Sequence, residues 1–203
     1  MSKIISNPQP VKLFIGMLSQ EISLFDEIKG KLKEVFGPLD LESPIWEWNH
    51  TEYYSKEMGD GLKRQFVFFQ DLISPESISE IKLKTNEIEG QYLTSPASPL
   101  NNGEIKRGCL TAKGGQKGVG GRRINLDPGY LDLAKIVLAS TKDFSHRIYL
   151  GSGIYGEVTL IYSGKGYQIL PYTFPDFRTQ EYLEIFKKAR DMYKAEVARL
   201  NLF

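Results

Sequence analysis

The sequence predicts an α+β fold in which a mainly antiparallel sheet carries helices on one face. Short apolar or alternating runs typical of strands recur along the chain, and segments with apolar residues every three or four positions separate them. The order strand, helix, strand, strand, helix occurs twice. Because this is the βαββα order of ferredoxin-like units, we expect one domain, residues 1–203, built of two packed halves, 11–93 and 122–203.

The first half begins with a strand and a helix. The run VKLFIGML at 11–18 is nearly continuously apolar, as in a central strand buried on both faces. Ser19 is a candidate N-cap for the helix that follows, which Gly37 and Pro38 end.

Two strands and a second helix complete this half. Residues 43–54 alternate in polarity and predict a half-exposed strand, and residues 62–72 predict another. Ser74 and Pro75 provide a cap and a first-turn proline for a helix that ends at Gly90.

A long segment without periodicity separates the halves. Residues 94–121 contain seven glycines and read as a flexible insertion. The elements predicted after it are a strand at 122–126, a helix at 129–140, strands at 146–151 and 157–163, and a long C-terminal helix whose apolar stripe runs from Tyr182 to Leu200. Residues 166–172 are a candidate for one additional strand.

Composition limits the partners and the compartment. With 26 basic and 25 acidic residues, the net charge of +1 gives no field that would imply nucleic acid or a membrane. The single Cys109 cannot form an internal disulfide, and no apolar run is long enough for a signal peptide or a membrane span, so we expect a cytoplasmic protein. Two histidines without close carboxylate spacing predict no metal site, and no cofactor is expected. The oligomeric state is not indicated.

The segment 122–160, RRINLDPGYLDLAKIVLASTKDFSHRIYLGSGIYGEVTL, resembles an uncharacterised bacterial family, domain of unknown function 4416. The runs VKLFIGML and PYTFPDFRTQEYLEIF share this resemblance, which covers nearly the whole chain. Members of that family have a short connection where this chain has the insertion after Tyr92, so any function of the insertion would be specific to this protein. The resemblance implies no established activity, although some members carry a GTP-binding label.

The glycine motif LGSGIYGEV at 150–158 invites a nucleotide interpretation. A dinucleotide fingerprint requires a helix after the glycines, whereas a strand follows here. The strand-loop-strand arrangement matches a protein kinase, but too few residues follow and the HRD and DFG triplets are missing, which excludes a kinase. Two interpretations remain: a hairpin with positive φ at its glycines, or a phosphate-facing nest at Gly151 and Gly153.

A polar cluster offers a candidate site. Asp127 precedes Pro128 and would be either a helix N-cap or a site residue. Lys142 and Arg147 could bind a phosphate or carboxylate, with His146 as a general base and Asp143 to orient it. The catalytic candidates are therefore Asp127, Asp143 and His146. The ligand-binding candidates are Tyr130, Lys142, Arg147, Gly151, Gly153, Glu157 and Arg178, and Asp176 could join them.

These residues favour binding of a phosphorylated small molecule or nucleotide, and they leave open whether the protein is an enzyme. The alternative is a non-catalytic RNA-binding or protein-interaction module, because LFIGML resembles an RNA-recognition motif and Phe66 and Phe68 share a strand face that could stack bases. A more remote alternative is a two-histidine phosphoesterase, although His50 and His146 lack the hydroxyl residue two positions on.

Overall fold

The computed structural model describes residues 7–49, 58, 60–93, 121–164 and 166–200. Within these residues, nine strands form one sheet in which every strand pair is antiparallel. The strands are β1 (Val11–Ser19), β2 (Leu39–Glu42), β3 (Trp46–Trp48), β4 (Leu62–Ile73), β5 (Asn125–Leu131), β6 (Lys135–Ser140), β7 (Ile148–Gly151), β8 (Ile154–Ser163) and β9 (Gly166–Ile169). Three α-helices have described bounds: α1 (Ile22–Phe36), α2 (Ile78–Gly90) and α3 (Gln180–Arg199). The predicted α+β class with a mainly antiparallel sheet is confirmed.

The sheet order is β2-β4-β1-β5-β6-β8-β7, with β3 also paired to β4 and β9 also paired to β8. The first strand, β1, therefore lies between β4 and β5, and all nine of its residues are buried, as its apolar run predicts. Because β1 pairs with β5, strands that precede and follow the insertion belong to one continuous sheet.

The helices cover both faces of the sheet, whereas the sequence predicted them on one. Leu13, Ile15 and Met17 of β1 pack with α1 and α2 in one core cluster, and Phe14 packs with α3 in the other. Successive side chains of a strand point to opposite faces, so an entirely buried central strand requires cover on each face.

The helix predicted at 129–140 is wrong, because this segment forms the end of β5, a turn and β6. Asp132 Oδ1 accepts hydrogen bonds from the backbone N–H groups of Ala134 and Lys135 and closes the turn. A short apolar run that is buried on both faces has no period that separates strand from helix. The second half thus lacks the first helix of the predicted repeat, and the ferredoxin-like order is not confirmed in detail.

Of the two helix starts predicted in the first half, one is found and one is not. Ser74 accepts a hydrogen bond from the N–H of Glu76 and starts a short 3₁₀ turn that leads into α2, as predicted. Ser19 is not the N-cap of α1; it ends β1, and Glu21 occupies the cap position.

The strand predicted at 43–54 is described only at β3, while His50, Cys109 and residues 94–120 of the insertion lie outside the described residues. No described helix is long and apolar enough to cross a membrane.

Candidate active or binding site

A cavity of about 540 Å³ opens where β5 and β6 separate. The two strands pair only through Gly129–Leu131 and Ile136–Leu138, although β5 begins at Asn125 and β6 continues to Ser140. The N–H and the C=O of Leu126 both point away from β1, toward α2. Because backbone groups two residues apart in a strand point to the same side, the nitrogen of Pro128 also points away from β1. Proline has no N–H to donate, so the ladder ends at this residue.

Side chains from α2 replace the missing strand beside β5. Lys82 Nζ donates to the carbonyl of Leu126 at 2.8 Å, and Glu89 Oε1 accepts from its N–H at 2.6 Å. The spacing of Lys82, Asn86 and Glu89 places all three on one helical face, which lines the cavity. The Asn86 amide has no hydrogen-bond partner among the described residues.

The cavity lining is densely charged and partly aromatic. The lining contains five basic and four acidic residues, which gives a formal excess of one positive charge, and it also contains four aromatic residues. The residues are Arg64, Lys82, Arg122, Lys142 and Arg147; Glu89, Asp127, Glu157 and Asp176; and Trp48, Phe144, Phe174 and Phe177.

One wall is organised by an ion pair between Arg64 and Asp127. Gly16 of β1 lies between their strands in the sheet register, and a Cβ atom at Gly16 would be 2.9 Å from Arg64 Nη1. The glycine therefore leaves room for the guanidinium to cross β1 and donate to Asp127 Oδ2 at 3.0 Å. Asn125 Nδ2 donates to the same oxygen at 2.7 Å.

The carboxylate of Asp127 is ionised and faces the cavity. Burial acts to raise its pKa, but the charges of Arg64 and Lys82 and the hydrogen bonds from Arg64 and Asn125 outweigh burial, so the pKa lies below its ordinary value. The side chain is 30% exposed, and Oδ1 accepts no hydrogen bond from the described residues.

The pKa of a second carboxylate, that of Glu89, is shifted in the opposite direction from the pKa of Asp127. Burial raises the pKa of Glu89 above its ordinary value, although the charge of Lys82 and the N–H of Leu126 oppose the shift. Its Oε2 accepts from Arg122 Nη1 at 3.2 Å, and Arg122 also donates to Asn125 Oδ1 at 2.9 Å. Glu89 and Asp127 thus belong to one hydrogen-bonded network.

The opposite wall is organised by Glu157 of β8. Arg147 Nε donates to Glu157 Oε2 at 2.7 Å, and its Nη1 donates to Ser140 Oγ and the Lys142 carbonyl. His146 Nε2 lies 3.1 Å from the same Glu157 oxygen, and its ring stacks on Tyr172 at a centroid distance of 4.5 Å. Arg147 Nη2 has no partner among the described residues, which leaves one donor group for the cavity.

The structure brings together five of the residues that the sequence proposed, because the cavity is lined by Asp127, Lys142, Arg147, Glu157 and Asp176. The alternative role of Asp127 as a helix N-cap is wrong, because it lies within β5.

Other candidates lie outside the lining. His146 Nε2 lies 3.1 Å from Glu157 Oε2 but does not line the cavity, and Asp143 is exposed. Tyr130 packs against the core cluster that includes residues of α1 and α2. Arg178 donates to the carbonyls of Thr173 and Pro171 and so holds the segment that carries Phe174 and Asp176.

The glycine motif forms the β7–β8 hairpin. Ser152 and Gly153 are the two turn residues, with φ of 54° and 77°, which is the type I′ pattern of tight hairpins. Neither Gly151 nor Gly153 lines the cavity.

The chain matches a known protein family over most of its length. Residues 9–193 match the family model described as Domain of unknown function (DUF4416). The chain belongs to this family. No curated protein and no solved structure matches the chain. The matched range contains every cavity-lining residue, so the site belongs to the DUF4416 region.

Sequence reasoning missed much of the site of this DUF4416 protein. The missed residues include Arg64, Lys82, Asn86, Glu89, Arg122 and Asn125. Two signals were available: Arg64 shares a strand face with buried Phe66 and Phe68, and Lys82 and Glu89 are each next to an apolar position of α2. Within the described residues, no group of three or more histidine, cysteine or acidic side chains could hold a metal ion.

The proposed base-stacking surface at Phe66 and Phe68 is wrong. Both side chains are fully buried and contact Phe186 of α3 at ring-centroid distances of 5.1 and 5.6 Å. They belong to the core of this DUF4416 protein and present no ring to a nucleic acid.

Proposed function

We propose that this protein binds a phosphorylated small molecule or a nucleotide in the cavity between β5 and β6. The observation that carries the proposal is the convergence of Asp127, Lys142 and the unpaired Nη2 of Arg147 around one cavity of about 540 Å³. This volume lies within the range of small-molecule sites, which is roughly 300–1,000 Å³.

The wall formed by residues after β6 suits an anionic group. Lys142 is exposed and lines the cavity, and Arg147 is held rigidly by Glu157 with one amino group still available. Hydrogen bonds from cationic donors to phosphate are among the strongest that proteins make. Phe144, which is 54% exposed, and Phe174 lie over the Arg147 guanidinium and offer apolar surface to a planar ring.

The proposal concerns binding and assigns no reaction. His146 is the residue proposed as a general base, but its Nε2 contacts Glu157 and its ring is stacked on Tyr172 outside the cavity lining. A general base must reach the proton that it removes.

A thermal-shift screen of nucleoside mono- and diphosphates and sugar phosphates tests the proposal. We expect at least one compound to raise Tm in a concentration-dependent manner, since a ligand at 100 times its Kd adds about 2.7 kcal/mol. Lys142→Ala should abolish or strongly weaken this rise. Lys188→Ala, an exposed residue on α3 outside the cavity, is the matched control and should retain it. A panel in which no compound stabilises the wild-type protein would contradict the proposal.

A further inference from the structure

The two carboxylate oxygens of Asp127 are not equivalent. Oδ2 accepts from both Arg64 Nη1 and Asn125 Nδ2, whereas Oδ1 accepts from none of the described residues. The side chain lines the cavity with 30% of its surface exposed. Asp127 therefore presents one fixed, negatively charged acceptor to whatever occupies the cavity.

The other acidic residues of the lining have no free oxygen. Both oxygens of Glu89 accept hydrogen bonds, from Leu126 and Arg122. Glu157 accepts from Thr159 on one oxygen and from Arg147 on the other. For Asp176 the partners are the N–H of Phe177 and Trp48 Nε1. Among the described lining residues, Asp127 Oδ1 is thus the one carboxylate oxygen without a partner.

We propose that Asp127 determines the specificity of the site by selecting ligands that carry a ring-attached amino group, such as an aminopurine nucleotide. This inference rests on the proposed function and narrows its ligand class. An amino group donates a charge-assisted hydrogen bond to Oδ1. A ligand without it leaves the carboxylate oxygen desolvated and unpaired, which is the situation that gives strong discrimination.

The acceptor is held in place by its neighbours. Gly16 leaves the space through which Arg64 reaches Asp127, and Arg122 fixes the carbonyl oxygen of Asn125 so that its Nδ2 faces Asp127. Asn86 lies on the same cavity with a free amide that can donate or accept. A rigid acceptor beside an adaptable amide suits recognition of a heterocycle edge.

The variant Asp127→Asn should invert the polarity of this one atom. Arg64 and Asn125 both donate to the Oδ2 position, so the amide oxygen of the asparagine must occupy that position. The NH₂ group then takes the place of Oδ1 and faces the cavity as a donor. A ligand amino group would meet another donor and would be disfavoured.

Dissociation constants for two matched pairs test this inference: AMP against purine riboside 5′-monophosphate, and GMP against IMP. The members of each pair differ only by one amino group. For the wild-type protein we expect the amino member of at least one pair to bind about 10- to 100-fold more tightly, as befits a hydrogen bond to a charged group. Asp127→Asn should abolish or reverse this preference. Asp191→Asn, an exposed carboxylate on α3 outside the lining, should retain it, and Asn86→Ala should weaken both members of a pair.

Several outcomes overturn the inference. Equal affinities within both pairs for the wild-type protein would do so even if Asp127→Asn failed to fold. An unchanged preference in Asp127→Asn would also do so. If the wild-type protein binds sugar phosphates but no nucleotide, the proposed function stands and this inference fails. If no phosphorylated compound binds, both fail.

Discussion

Gly16 contributes to the site because it has no side chain. A Cβ atom there would lie 2.9 Å from both Arg64 Nη1 and the Phe66 ring, so Gly16→Ala should displace the guanidinium from Asp127. Overpacking of this kind costs about 1–3 kcal/mol. Chemical denaturation should show this loss, together with loss of ligand stabilisation. Gly30→Ala is the control, because Gly30 lies in the middle of α1 with nothing within 4 Å, and it should stabilise the protein by roughly 0.5–1 kcal/mol. Equal effects of the two substitutions would contradict this role of Gly16.

Arg147 is a structural partner as well as a candidate ligand contact. Its side chain is 5% exposed and that of Glu157 is 1% exposed, so Arg147→Ala leaves Glu157 buried with its main partner missing. Breaking a buried ion pair from one side costs about 3–5 kcal/mol. We expect this loss in urea denaturation without any ligand present. The double variant Arg147→Ala/Glu157→Gln should recover part of the loss, because no uncompensated charge remains. Failure to recover would show that packing, not charge, explains the cost.

The β7–β8 turn shows how a sequence motif can fix an element without fixing a function. Its two residues have positive φ, and a Cβ atom at Gly153, whose φ is 77°, would have no other atom within 4 Å. Gly153→Ala should therefore cost about 1–2 kcal/mol through backbone conformation alone. Gly166→Ala, also in open space but without positive φ, is the control and should change stability by less than about 0.5 kcal/mol. Thermal denaturation of both variants checks the difference.

Elements with a clear period or clear end signals were predictable. The stripe of α3 from Tyr182 to Val197 and the Ser74–Pro75 start before α2 depend on local sequence and are found as predicted, whereas Leu200, the last residue of the predicted stripe, follows the helix and is exposed. The segment 129–140 could not be assigned in this way, because β6 buries Ile136 and Leu138 on one face and Ala139 on the other. The assignment of this segment depends on its sheet neighbours, β5 and β8, and not on its own composition.

At the scale of the whole molecule, some site residues are close together in the sequence and others are far apart. Lys142, Arg147 and Glu157 are close along the chain and could be grouped from the sequence. Arg64 and Asp127 are 63 residues apart, and only the β4-β1-β5 strand order brings them together. No periodicity encodes that order, so the alternation along β4 could indicate that Arg64 is buried but not that it lies beside Asp127.

The two cavity carboxylates with shifted pKa values should give the molecule opposing pH dependences. For Asp127 the folded pKa lies below its ordinary value of 3.8, so its contribution to stability is present above pH 3.8 and is lost as the pH falls through the lowered pKa. For Glu89 the folded pKa lies above its ordinary value of 4.5, so the folded state binds the extra proton and stability declines as the pH rises from 4.5 through the raised pKa.

Urea midpoints measured from pH 3 to pH 7 (roughly the range over which carboxyl groups titrate) separate the two contributions. Asp127→Asn should make the loss of stability in acid shallower, because the group that must take up a proton on unfolding is gone. Glu89→Gln should remove the decline above pH 4.5, even though the amide cannot reproduce both hydrogen bonds of Glu89 and lowers stability at every pH. Asp191→Asn, exposed and outside the cavity, should leave the shape of the profile unchanged. An acid limb in Asp127→Asn that superimposes on that of the wild-type protein would show that Arg64 does not hold this carboxylate in its charged form.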